Sequence, residues 1–255
     1  MLAGQSLTKY SLCFLMAVPV IAAGPQMVVD RGLPQANLNN VSGAARSNVR
    51  WAIPEDGFLG DDFTIGRPGE HWVIDAVRTW TGPGAGGTDP LHLGDFYQDV
   101  RLYFGGPGEN VSPVVTVLLS EGSDGTGNPR VKLTEASGAQ TTMYDEFGQF
   151  YRVWQVDFTG LALPVEGGAK VRFGVWGMGR AIPGSEGKNY MWFNHASNAA
   201  LSGARQDGAD DVILQFDAVG RSHGEFRAQG NGWDKAGDIN VQVFAHKVST
   251  EAATQ

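Results

Sequence analysis

The chain has 255 residues, 42% of them hydrophobic and 18% charged. That excludes a disordered protein and supplies enough apolar material for a sizeable core. The formal net charge is -8, from 19 Lys+Arg against 27 Asp+Glu, and the basic residues are scattered, which argues against nucleic-acid or anionic-membrane binding.

Lys9 precedes an uncharged apolar run from Tyr10 to Ala23. A positive flank, an apolar stretch and small residues at its end predict a signal peptide over 1–23, cut near Ala22 or Ala23. The run is short for a bilayer span of about 20 residues. Cys13 is the only cysteine and lies in this run, so the mature chain is expected to form no disulfide, thiolate metal site or cysteine nucleophile. Residues 24–50 are small and polar and read as an extended leader. The domain is expected over 51–248, followed by a flexible tail at 249–255 with no hydrophobic anchor.

From Trp51 onward, short apolar runs are broken by Gly, Pro, Asp and Asn. They predict strands near 62–65, 71–81, 100–105, 114–120, 130–134, 150–158, 169–176, 190–195, 212–217 and 239–248. Val171, Phe173 and Val175 alternate with Lys170 and Arg172, as a strand with one buried face requires. Parity breaks within 71–81, which places a β-bulge near Asp75 or Ala76. The continuous apolar run at 114–119 reads as a central strand buried on both sides. No helical period is sustained, and 196–202 allows one turn at most. The pattern predicts an all-β, single-domain antiparallel sandwich of jelly-roll or Greek-key type.

Four stretches carry a resemblance: Trp51-Ala-Ile-Pro54 followed by Gly60-Asp-Asp-Phe-Thr-Ile65 and Trp72-Val-Ile-Asp-Ala-Val-Arg-Thr-Trp80, then Tyr151-Arg-Val-Trp-Gln-Val-Asp-Phe158, then His195-Ala-Ser-Asn-Ala-Ala-Leu-Ser-Gly203, and the closing Trp233 to Phe244 segment. The chain resembles a group of uncharacterised bacterial, Acidobacteria-like secreted proteins built on a β-sandwich, some with C-terminal sorting tails. The resemblance implies export and a sandwich and carries no assigned activity.

Candidate sites are few. Asp207, Asp210 and Asp211 put three carboxylates on a Gly-containing loop, a pattern that could supply several oxygens to a structural calcium; a solvated acidic turn opening the Val212 strand is the favoured reading. Asp61 and Asp238 would make a second such pair if the fold joined them. His195 stands two residues from a hydroxyl, Ser197, but no nucleophile elbow is present: Pro183-Gly-Ser-Glu-Gly187 lacks the first glycine. A two-carboxylate glycosidase is neither supported nor excluded by a chain this rich in Asp and Glu. Trp80, Tyr97, Trp176 and Trp233 fall at strand ends or in loops, where rings could face outward and stack on a sugar. Trp72, Trp154 and Trp192 lie within strands and are expected in the core.

These features favour a secreted, non-catalytic sandwich that binds polysaccharide or other envelope material. No cofactor is called for, a structural calcium being the one candidate; no nucleic-acid partner is expected, and self-association through sheet edges stays open. The competing readings are a jelly-roll polysaccharide hydrolase or lyase and a structural subunit of a surface layer or filament.

Overall fold

The computed structural model describes residues 24–33, 57–83, 92–108, 110–135, 143–144, 150–151, 153–195, 197, 212–227 and 238–249. Two antiparallel sheets pack face to face in an all-β sandwich. The first sheet contains β1 (Gln26–Asp30), β3 (His71–Pro83), β6 (Val131–Glu135), β9 (Trp154–Glu166), β11 (Trp192–Asn194) and β14 (Val241–Lys247). Its order is β1-β14-β3-β9-β6, with β11 paired to the end of β3. The second contains β2 (Gly57–Thr64), β4 (Asp99–Gly105), β5 (Ser112–Leu118), β10 (Lys170–Trp176), β12 (Val212–Asp217) and β13 (Ser222–Arg227), in the order β13-β12-β2-β10-β4-β5. β7 (Met143–Tyr144) and β8 (Phe150–Tyr151) form a separate short hairpin, and α1 (Leu93–Phe96) is a single helical turn.

Period-two alternation assigns the faces. Val171, Phe173 and Val175 of β10 enter the core between the sheets, where they meet Val77, Val156, Phe158, Val241 and Val243 of the opposite sheet. Trp72 and Trp154 also belong to this core, and Trp192 packs against its edge, as expected from their strand positions. The parity break in β3 is a bulge at Asp75: the ladders to β9 and β14 both slip between Ile74 and Ala76. The freed Asp75 carboxylate bonds His246 Nδ1 at 2.7 Å.

Two expectations are corrected. The run at 114–119 is no central strand, because β5 is the outer edge of its sheet. Val115 and Val117 face the core while Leu118 is 75% exposed. Nor is the stretch from residue 24 only a leader at its start. β1 adds to β14, and Arg31 just beyond it is fully buried.

Arg31 continues the β1–β14 pairing through its N–H to the Val241 carbonyl and sends its side chain between the sheets. Nη1 donates to Asp61 Oδ2 at 2.6 Å and to the Ile239 carbonyl at 3.2 Å, and Nη2 donates to the Asp62 carbonyl at 2.6 Å. Asp61 accepts two further bonds, from the N–H groups of Ile239 and Asp62, each at 2.6 Å. Burial opposes the Arg31 charge, but Asp61, Asp238 and Asp62 outweigh it and raise its pKa. Burial, with Asp238 acting in the same direction, raises the Asp61 carboxyl above the usual carboxylate range; Arg31 and the two N–H groups offset this only in part. Since the groups bonded to its oxygens are all donors, the carboxylate is the form this arrangement fits.

The outer face of the second sheet holds another apolar cluster: Phe58, Tyr103, Val111, Trp176, Leu214 and Phe216. Rings lie flat on this face because two positions lack a side chain. A Cβ on Gly174 would overlap the Phe58 ring, and one on Gly60 would overlap both the Phe216 ring and the Phe173 carbonyl. Phe58 stacks on Phe216 at 5.3 Å and leans on Tyr103 at 4.3 Å, contacts worth about 0.5–1.5 kcal/mol each beyond area burial. Gly60→Ala is therefore expected to cost about 1–3 kcal/mol through overpacking. Urea unfolding would read this as a lower midpoint, and an unchanged midpoint would contradict the close ring-on-backbone packing.

Candidate functional site

The described residues form a cleft of about 560 Å³ lined by Asp95, Gln98, Glu121, Arg180, Ala181, Pro183 and Tyr190. Three segments build it: α1 with the residues after it, the loop leaving β5, and the β10–β11 connection. Backbone bonds lock them together. Arg180 N–H donates to the Phe96 carbonyl at 2.7 Å, Gln98 N–H to Met178 at 2.8 Å, and Leu119 N–H to Gln98 at 2.9 Å. The β10–β11 connection folds back on itself as a hairpin, with Tyr190 N–H on the Arg180 carbonyl at 2.9 Å and a bridge between Ala181 and Asn189. Pro183-Gly-Ser-Glu-Gly187 is the turn of that hairpin, which brings Arg180 and Tyr190 to the same wall.

Side chains complete the frame. Asp95 accepts the His92 N–H at 3.0 Å and the Gly122 N–H at 2.6 Å, one on each carboxylate oxygen. Asp124 accepts the Leu93 N–H at 2.6 Å and sits 3.3 Å from His92 Nδ1. The Arg180 guanidinium donates through Nε to Gly94 at 2.7 Å and through Nη2 to Leu119 at 3.0 Å. Tyr190 rests edge-on against the buried Phe96 ring, centroids 5.0 Å apart.

What remains for a ligand is an uneven set. Among the described residues, the Glu121 carboxylate, the Tyr190 hydroxyl, Gln98 Oε1 and Arg180 Nη1 make no hydrogen bond. The half-buried Tyr190 ring supplies the aromatic surface. A rigid polar cleft with one aromatic wall suits a ligand carrying several hydroxyls.

The residues expected to present rings at the surface are elsewhere. Trp80 and Tyr97 are completely buried and Trp176 is 8% exposed, so the outward-facing placement expected for these three is corrected. Trp80 lies between Thr79 and Thr81, whose cross-strand partners Val156, Val241 and Trp154 are core residues. Its ring is therefore on the outer face of its sheet, yet covered. Trp176 likewise lies on the outer face of its own sheet, within the second aromatic cluster and beneath the Arg101 guanidinium, 4.9 Å from the ring centroid. Tyr97 points into the main core, donates its hydroxyl to the Met191 carbonyl at 2.8 Å, and packs on Trp192. In the segment Asp95-Phe-Tyr-Gln98 it is the two polar ends that line the cleft.

Trp233 and the candidate calcium ligands Asp207, Asp210 and Asp211 lie outside the described residues. Asp61 and Asp238 do come together, but around the Arg31 guanidinium. No group of three His, Cys, Asp or Glu is arranged to hold a metal among the described residues. Ser197 Oγ donates to the Arg31 carbonyl at 2.9 Å, so this hydroxyl serves the structure. Sequence reasoning missed Arg180, Glu121 and Tyr190; the turn signal at 183–187 was the one local hint that Arg180 and Tyr190 face each other.

No family model matches the chain, and no curated protein or solved structure is significantly similar to it.

Asp95 pins α1 to the loop after β5, so Asp95→Ala should free the His92 and Gly122 N–H groups and cost about 1–2 kcal/mol. Thermal unfolding combined with hydrogen exchange at those two amides measures this. Full retained protection at both would contradict the assigned role.

Proposed function

We propose that this chain is an exported, non-catalytic binding module that holds polysaccharide or related envelope material in the cleft walled by Tyr190 and Arg180. One observation carries the reading: a cleft fixed by interlocking backbone bonds leaves a carboxylate, a phenol, an amide oxygen and a guanidinium edge free around one aromatic ring. Hydroxyl-rich ligands are bound by such sets, with ring stacking on one side and hydrogen bonds at the edges. Lys9 and the apolar run at 10–23 support work outside the cytoplasm.

A two-carboxylate hydrolase finds less support here. Each oxygen of Asp95 holds one backbone N–H of the frame and keeps its second lone pair, so of the two carboxylates only Glu121 is without a hydrogen bond among the described residues. Inverting and retaining mechanisms each need two.

Pull-down on insoluble polysaccharides, followed by calorimetry with soluble fragments, tests the proposal. Tyr190→Ala should weaken binding by about tenfold or more, with the circular dichroism spectrum unchanged. Absence of binding across a broad glycan panel would overturn it.

A further inference from the structure

Hydrogen-bond inventory and charge narrow the ligand class for this cleft, an inference that rests on the binding reading above. Two carboxylates, Asp95 and Glu121, line the site against one guanidinium, Arg180. That guanidinium is already half committed, since Nε and Nη2 serve the carbonyls of Gly94 and Leu119. Asp95 is committed through one bond per oxygen, but its negative charge remains in the wall. Asp124 adds a third carboxylate behind it, bonded to the Leu93 N–H and beside His92. Glu121 is exposed and has no ion-pair partner among the described residues. Counted by lone pairs, the uncommitted sites are thus mainly acceptors: the Glu121 carboxylate, Gln98 Oε1 and the second lone pairs of Asp95, against Arg180 Nη1, the second N–H of Arg180 Nη2 and of Gln98 Nε2, and the Tyr190 hydroxyl as donors.

An acceptor-rich, net negative cleft favours a ligand that brings donors and positive charge. A neutral sugar hydroxyl donates once and also needs its own oxygen served, whereas an ammonium offers three donors and requires no donor from the protein. An acidic sugar would meet Arg180 but also two carboxylates. The chain as a whole, at a formal charge of -8, repels anions and attracts cations at long range. We propose that the cleft is selective for amine-bearing saccharides, with the Glu121 carboxylate receiving the ammonium and the Tyr190 ring supporting the sugar face.

Calorimetry on the intact chain at pH 6 and low salt tests this with four oligosaccharides of equal length: a glucosamine oligomer, its fully N-acetylated form, a neutral glucose oligomer and a uronic acid oligomer. The glucosamine oligomer is expected to bind about three- to tenfold tighter than its N-acetylated form. Raising the salt to about 0.5 M should shrink the difference. Glu121→Gln should abolish it and leave the fold intact, because that side chain supports nothing else. Glu225→Gln serves as the control, since Glu225 is exposed on β13 at the opposite edge of the same sheet; it should leave the preference unchanged.

Equal affinity for the amine and its N-acetylated form, or preference for the uronic acid, would overturn the selectivity while leaving the binding module standing. Loss of the preference in Glu225→Gln as much as in Glu121→Gln would also overturn it, because the attraction would then come from overall charge. Binding of none of the four would overturn both the selectivity and the binding reading.

Discussion

A guanidinium buried between two sheets has to be matched there, and Arg31 is matched by groups from two separate parts of the chain. Its backbone belongs to the edge of the first sheet. Asp61 comes from β2 in the second sheet, and Asp238 and Ile239 come from the segment entering β14. An unpaired ion in such a place costs several kcal/mol, so each partner is held by the others. This latch explains why five residues at the N-terminal side can hold as an edge strand at all. It also sets the spacing of the sheets at one end of the core, where a polar group replaces the aliphatic packing found around Phe158 and Phe173. The Arg31 guanidinium is the cation that these carboxylates are placed to meet.

From that fixed interior the cleft follows by short connections. Tyr97 and Phe96 are anchored in the core, and their polar neighbours Asp95 and Gln98 therefore emerge at set positions. Leu119 is buried at the end of β5, so Glu121 leaves the sheet two residues later over the same site. The hairpin between β10 and β11 inherits its register from Trp176 on one side and Trp192 on the other.

Much of the sandwich was legible because a half-buried strand writes its period into the sequence. The alternation in β10 and the parity slip at Asp75 are local facts, and the structure reproduces both. Place within the sheet is a long-range fact and was not legible: the run at 114–119 has the composition of an interior strand but occupies an edge. The same limit misplaced the aromatics. Trp176 and Trp80 were expected at strand ends with rings that could face outward, and the rings do lie on outer sheet faces. Whether an outer face is covered depends on distant segments, and both rings are buried. Arg31 stood in a small polar stretch that gave no sign of a core residue, since its partners are 30 and more than 200 positions away. The cleft residues were hidden for a similar reason, each being an ordinary polar residue whose meaning comes from the two other segments beside it.

The central structural claim is that Arg31 and Asp61 act as one unit across the sheets. A double-mutant cycle in urea unfolding at pH 7 tests it most directly, using Arg31→Met, Asp61→Asn and the two combined. Each single substitution should cost about 3–5 kcal/mol, because it strands the other charge in the interior. The combined variant should lose less than the sum by about 2 kcal/mol. Single costs that add to within about 0.5 kcal/mol would show that the two residues do not depend on each other, and the latch would be contradicted.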